Sequence, residues 1–203
     1  MSIKKYDIYI VGVGGQGVLT IADILTSVAF TREMPVNYYP TKGMAQRGGF
    51  VKVQLRFGRS NVGPDIPQNS ADLVISMERS ESLKAVKYLK KGGEFFLYDN
   101  CWEPTAVMLG KAPYPTLKEV WQEVTQAGGA VKCLSNTDLP LYQGKRIRDN
   151  IYILGGILQS TRLKEIISKD DVVKAVTEKW PKVAESNVFA IEKGMHSEIK
   201  TAL

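Results

Sequence analysis

The sequence predicts a three-layer α/β/α fold with a mixed, mostly parallel sheet and a helical C-terminal third. Three observations carry this. A strand, a glycine turn and a helix open the chain; short apolar strands then alternate with amphipathic helices; and from Arg146 onward only helical patterning remains. With 203 residues and no low-complexity linker or internal repeat, the whole chain, 1–203, is expected to form one domain around a substantial core.

The apolar run from Tyr6 to Val11 is the first expected strand, and Val18 to Phe30 the first helix. Val36 to Pro40 is a second strand. Between Phe50 and Phe57, Val51, Val53, Leu55 and Phe57 alternate with Lys52, Gln54 and Arg56, which predicts an antiparallel or edge strand with one wet face. Ser60 to Ser70, with Pro64 and Pro67, reads as a loop, and Leu73 to Ser76 as a short buried strand. A helix over 80–90 follows, then a turn at Gly92-Gly93 and a strand from Glu94 to Tyr98. Trp102 to Pro115 is an irregular, proline-containing excursion suited to meeting a partner. A helix from Thr116 to Gln126, a stop at Gly128-Gly129 and a strand from Ala130 to Leu134 complete the middle of the chain. Three helices close it, separated at 164–169 and at Trp180-Pro181.

Two glycine-rich loops stand out. The first is Gly12-Val13-Gly14-Gly15-Gln16-Gly17, at the strand-to-helix junction where free N–H groups and the positive end of a helix dipole attract anions. Gly14, Gly15, Gln16 and Gly17 would present those N–H groups. The second is Gly43-Met44-Ala45-Gln46-Arg47-Gly48-Gly49, in which Gln46 and Arg47 offer hydrogen bonds and charge to a carboxylate or phosphate. Glycine serves close backbone approach as readily as ligand binding, so packing against a partner subunit is the competing role for both loops.

The spacing Gly12-x-Gly14-x-x-Gly17 also satisfies the dinucleotide pattern. That pattern needs an acidic residue at the end of the second strand to hold a ribose hydroxyl. Here that strand end reads Tyr39-Pro40-Thr41-Lys42, and Glu33 falls in the preceding turn. Lys42 could face an NADP phosphate. A P-loop is excluded, because no Lys-Ser/Thr pair follows the glycines.

Both loops carry a family resemblance. The stretch from Val11 to Val18 resembles the opening of the gamma-type domain of 2-oxoacid:ferredoxin oxidoreductases. The segment from Gly43 to Gly49 is similar to the small (beta) subunit of the indolepyruvate type. Softer matches follow at Ala71 to Ile75, Glu78, Leu83 to Gly93, Asn187, Ala190 and Gly194. The resemblance implies a subunit of an enzyme that decarboxylates a 2-oxoacid on thiamine diphosphate, passes two electrons through iron–sulfur clusters to ferredoxin, and releases an acyl-coenzyme A. It implies that thiamine diphosphate and the clusters sit on a large catalytic subunit. This chain then assists assembly, or substrate and coenzyme A binding. Gly12, Gly14, Gly15, Gln16, Gly17, Gln46, Arg47, Gly48 and Gly49 would form the cofactor or interface surface, with no catalytic residue and no metal ligand of its own. The isolated chain is expected to be inactive, and a homodimer is open to it.

The residues are compatible with that division. Two cysteines, Cys101 and Cys133, cannot supply the four thiolates of a conventional cluster, and a single histidine, His196, gives no zinc set. Cys133 lies in an apolar strand as a small buried hydrophobe, and His196 on a solvated terminal helix. Asp65, Asp72, Glu78 and Asp99 are the candidate catalytic carboxylates. Asp72 precedes a strand, and Glu78 and Asp99 lie at or just after strand ends, where α/β folds place ligands. Surface or capping roles are nevertheless expected, since no nucleophile–base pair accompanies them. The net charge of +6 favours acidic partners, yet the basic residues are scattered, which argues against nucleic acid. The longest apolar stretch, Ile151 to Leu158, is too short to span a bilayer, and no signal-peptide pattern precedes the first strand, so a cytoplasmic location is expected. Two other readings stay open at this point: a free-standing NAD(P)- or flavin-binding oxidoreductase using Gly12 to Gly17, and a non-catalytic scaffold or regulatory subunit.

Overall fold

The computed structural model describes residues 5–42, 49–136 and 139–203. Gln46, Arg47 and Gly48 of the second glycine loop lie outside the described residues; Gly49 lies within them.

The elements follow in the order β1 (Tyr6–Val13), α1 (Val18–Thr31), β2 (Val36–Lys42), β3 (Phe50–Phe57), β4 (Ala71–Ser76), α2 (Arg79–Ala85), β5 (Leu89–Asp99), α3 (Thr105–Met108) and α4 (Leu117–Gln126). Then come β6 (Ala130–Ser135), the small hairpin β7 (Leu141–Tyr142) and β8 (Lys145–Arg146), α5 (Asp149–Ser160), α6 (Lys169–Lys179), α7 (Ala184–Met195) and β9 (Ile199–Lys200). The main sheet has the order β2-β3-β1-β4-β5-β6-β9. β1, β4, β5 and β6 pair in parallel, while β3 and β9 run against them, and β2, antiparallel to β3, runs with them. The sheet is therefore mixed and mostly parallel in strand direction, with helices on both faces as the patterning predicted.

One face is covered by α1, α5, α6 and α7, whose apolar sides meet Ile8, Ile10, Leu55, Ile75 and Phe96 of the sheet. The other is covered by α2 and α4, which close over Val11, Val74, Phe95, Leu97 and Cys133. Helix α1 buries Val18, Ile21, Ala22, Leu25, Val28 and Ala29, the spacing of a single helical stripe. A capping box at Thr116 starts α4, and another at Ser168 starts α6.

Four local expectations are corrected. The helix over 80–90 stops at Ala85, continues as a 3-10 turn over Val86–Tyr88, and gives way to β5 at Leu89, so Gly92 and Gly93 lie inside a strand. The apolar and aromatic run Phe95-Phe96-Leu97-Tyr98, with parallel pairing to β4, outweighs the helical periodicity. The excursion from Trp102 to Pro115 contains the short helix α3. The C-terminal region is not wholly helical: Ile199 and Lys200 pair with Leu134 and Cys133, because β6 otherwise offers an open edge.

The fourth correction concerns β3. It is an interior strand between β2 and β1, and its polar side is not wet: Gln54 and Arg56 are buried. The 60–70 loop folds over that side. Gln54 Nε2 donates to Asp65 at 2.7 Å, and Ile66 N donates to Gln54 Oε1 at 2.6 Å. Arg56 donates to the carbonyls of Gly63 and Asp65 and pairs with buried Asp7. The alternation is read correctly as two unlike faces, but the polar face is matched by protein rather than by water.

Cys133 is buried and Cys101 exposed. Burial, with a smaller effect of the Asp99 carboxylate, pushes the Cys133 thiol up to about 12. Because the folded value lies above the ordinary thiol range, the neutral form is favoured by folding. That contribution is intact below the unfolded pKa of about 8.5 and fades as pH rises toward 12. At pH 8 a thiol reagent should therefore modify Cys101 alone in the folded chain and both cysteines after unfolding. Fast reaction of two thiols in the native chain would contradict this.

Candidate functional site

The parallel strands β1, β4 and β5 end on the same edge of the sheet, where open α/β folds receive ligands. The first glycine loop leaves β1 at this edge. Gly12 has no room for a side chain: an added Cβ would stand 2.7 Å from Gln16 Oε1 and 2.9 Å from Met77 Cβ. Gly17 combines a left-handed φ of 80° with Asn150 pressed against it, an added Cβ falling 2.3 Å from Asn150 Nδ2. The loop is pinned from within by Gln16, whose Oε1 accepts the Val13 N–H at 2.9 Å.

The structure divides the four N–H groups expected to face a ligand. Gly14 N donates to the Gly49 carbonyl at 2.8 Å, and Gln16 N to Val13 at 3.2 Å, so both are used internally. Gly15 and Gly17 carry no backbone hydrogen bond from their N–H groups among the described residues. Helix α1 has no side-chain cap and no acidic residue in its first turn, which leaves its positive end available. The Gly14–Gly49 bond also shows that the two glycine loops meet, at the one residue of the second that is described here.

A cleft of about 650 Å³ opens at this point. The loop from Gly14 to Gly17 and Thr20 form one wall, Met77, Tyr98, Asn100 and Trp102 a second, and Arg148, Asp149 and Asn150 a third. Two helix N-termini, those of α1 and α5, thus converge on one space. Arg148 is exposed, its guanidinium 5.3 Å from the centre of the Trp180 ring, which steers it without neutralising it. Asp149 is balanced by Arg146 at 3.5 Å. Burial first, then the Asp149 carboxylate, pushes the Tyr98 phenol up to about 12, so its hydroxyl stays neutral and donates to Asn136 at 2.6 Å.

Sequence reasoning found the glycine wall and missed the other two. Arg148-Asp149-Asn150 ahead of an apolar run is a legible helix start, but nothing local says that this helix begins opposite Gly17. The four candidate carboxylates all prove to be engaged. Asp65 holds Gln54, Asp72 accepts the Asp7 N–H and pairs with Lys90, Asp99 pairs with Arg79 at 2.6 Å, and Glu78 caps α2. Glu78 is buried, however, not at the surface.

The dinucleotide spacing is met by the loop and not by the topology. A ribose-binding acid would have to stand beside β1 at the end of β2, yet β3 is inserted between them. The two ends are two strand spacings apart, roughly 10 Å, and β2 ends in Lys42.

Residues 7–197 match the pyruvate ferredoxin/flavodoxin oxidoreductase family. The chain belongs to this family. It is 33% identical over 195 residues to the indolepyruvate oxidoreductase subunit IorB of Thermococcus kodakarensis, covering 95% of this chain and 96% of that one. It is 34% identical over 182 residues to the IorB subunit of Pyrococcus horikoshii, covering 86% and 90%. The fold is that of the pyruvate oxidoreductase subunit PORC of Thermotoga maritima, with a TM-score of 0.70 at 20% identity over 97% and 98% of the two chains. It is also found in the 2-oxoglutarate:ferredoxin oxidoreductase of Magnetococcus marinus, solved with 2-oxoglutarate, coenzyme A and succinyl-CoA bound. There the TM-score is 0.64 at 18% identity, over 95% of this chain and 31% of that one. As a member of the pyruvate ferredoxin/flavodoxin oxidoreductase family, the chain is a subunit of a 2-oxoacid:ferredoxin oxidoreductase. No helix among the described residues is long and apolar enough to cross a membrane.

Proposed function

We propose that this chain is the small subunit, a single gamma-type domain, of a cytoplasmic 2-oxoacid:ferredoxin oxidoreductase of the indolepyruvate type, and that its cleft receives the anionic part of coenzyme A. A large subunit carries thiamine diphosphate and the iron–sulfur clusters, and ferredoxin takes the electrons. The observation that carries the cleft assignment is the convergence on one space of two helix N-termini, Arg148, and the Gly15 and Gly17 N–H groups, which carry no backbone hydrogen bond among the described residues. These groups hold negative charge without doing chemistry: N–H donors and a guanidinium bind and orient phosphate oxygens. Thr20 and Asn150 add neutral polar groups on the same walls. Proton transfer is not assigned to any of them.

The test is anaerobic co-purification of the tagged chain with its partner, followed by acceptor reduction with indolepyruvate and coenzyme A. A brown, thiamine-containing complex active on aryl pyruvates is expected. In that complex Arg148→Ala should raise KM for coenzyme A by roughly 3–10-fold, the value of one charge-assisted bond at an exposed site, with kcat little changed. A variant that assembles poorly yet keeps both constants once assembled would instead favour a purely structural role for the cleft.

A further inference from the structure

Between β5 and α4 the chain makes an excursion that leaves the body at Trp102 and returns at Tyr114. Its tip is apolar and exposed, with Met108 at 72% and Leu109 at 62% accessibility. Its internal bonds are those of α3 and the turn after it, Val107 and Met108 to Pro104, Leu109 to Thr105, Gly110 to Val107 and Lys111 to Ala106. Both necks end on one buried side chain. Glu78 Oε1 accepts the Trp102 N–H at 3.2 Å and the Tyr114 hydroxyl, and Trp102 N also approaches that hydroxyl oxygen at 3.3 Å. Glu78 is itself fixed: Oε2 accepts Ser80 Oγ at 2.6 Å and Glu81 N at 2.9 Å. The Arg79 guanidinium lies 6.0 Å from the Tyr114 ring centre and is held by Asp99.

This is more than a helix cap needs. A cap uses one carboxylate oxygen, and the other is spent closing a loop across 24 and 36 residues of sequence. The residue so fixed, Trp102, forms part of the cleft wall, although it is half exposed and belongs to an otherwise exposed segment. We infer that Glu78, acting through Tyr114 and the Trp102 amide, is a positioning residue that holds the Trp102 indole as a fixed wall of the cleft. The inference rests on the reading of that cleft as a coenzyme A site. Without the latch, the loop would swing on its two necks and the indole would pay an ordering cost on each binding event.

The experiment uses Tyr114→Phe, which keeps the ring beside Arg79 and removes the hydroxyl that bonds Glu78 and meets the Trp102 amide, together with Trp102→Ala and the double variant. Amide exchange on the full chain is expected to quicken by about tenfold or more at Trp102 and at Val107 to Lys111 in Tyr114→Phe, the value of one hydrogen bond to a charged group. In the purified complex the same variant should raise KM for coenzyme A about 3–10-fold at unchanged kcat. The double variant should match Trp102→Ala, since a latch acting only through the indole has nothing left to position. Unaltered exchange in Tyr114→Phe, or effects of the two substitutions that multiply, would overturn the inference. A wild-type complex whose activity is independent of coenzyme A would sink the cleft reading and with it the role toward that ligand, while the exchange data still show whether the latch exists.

Discussion

Gly194→Ala is expected to lower the melting temperature by roughly 6–12 °C, the shift that about 3 kcal/mol produces in a chain of this size. Helices α5 and α7 cross at two glycines. A Cβ at Gly194 would stand 1.9 Å from the Tyr152 carbonyl oxygen, and one at Gly155 would stand 2.2 Å from the Ile191 carbonyl oxygen. The obstructing atoms are backbone, which cannot rotate away as a side chain does, so the helices must separate by roughly 1 Å and thin the core between them. Alanine's better helix propensity returns only about 1 kcal/mol. Gly63, where an added Cβ would meet nothing within 4 Å, is the control: Gly63→Ala should leave the melting temperature nearly unchanged. Equal behaviour of the two variants in calorimetry would show that the crossing is not as tight as described.

Asp7→Ala should destabilise the chain by about 3–5 kcal/mol, because it strands a buried cation. Asp7 is 1% accessible, and the Arg56 side chain that pairs with it at 3.2 Å is 9% accessible. Arg59 Nε adds a third bond at 3.1 Å. With Asp7 gone, the Arg56 charge keeps the Gly63 and Asp65 carbonyls but no carboxylate partner among the described residues. The loop over 60–70 should then open first, becoming the earliest site of proteolysis, and the urea midpoint should fall. Asp7→Leu combined with Arg56→Met removes both charges and should recover much of the loss, which separates a stranded charge from a lost packing contact. A double variant no better than Asp7→Ala would refute the argument.

The fold class and most elements were legible because they are written in local periodicity and punctuation. The strand, glycine turn and helix at Tyr6 to Phe30 need no distant partner to be recognised, and α4 announces itself through Thr116 and Glu119. The errors sit where a distant partner decides. Leu89 is strand because it pairs with Ala71 of β4, and Ile199 is strand because β6 has an open edge. Gln54 and Arg56 read as solvent-facing because polar residues usually are. Their burial is satisfied by distant partners: Asp7 on the neighbouring strand pairs with Arg56, and Asp65 and Ile66 of the 60–70 loop pair with Gln54.

The same division runs through the site. By itself the sequence determined the glycine loop, the family it signals and the lack of a dinucleotide acid, since these depend on residue type and spacing within a few turns of chain. Tertiary structure alone decided that β3 separates β2 from β1, that α5 brings Arg148 and Asn150 opposite Gly17, and that Glu78 reaches Trp102 and Tyr114. Those contacts join residues far apart in sequence. Their energies come from pairing strands and packing helices, which no local pattern encodes.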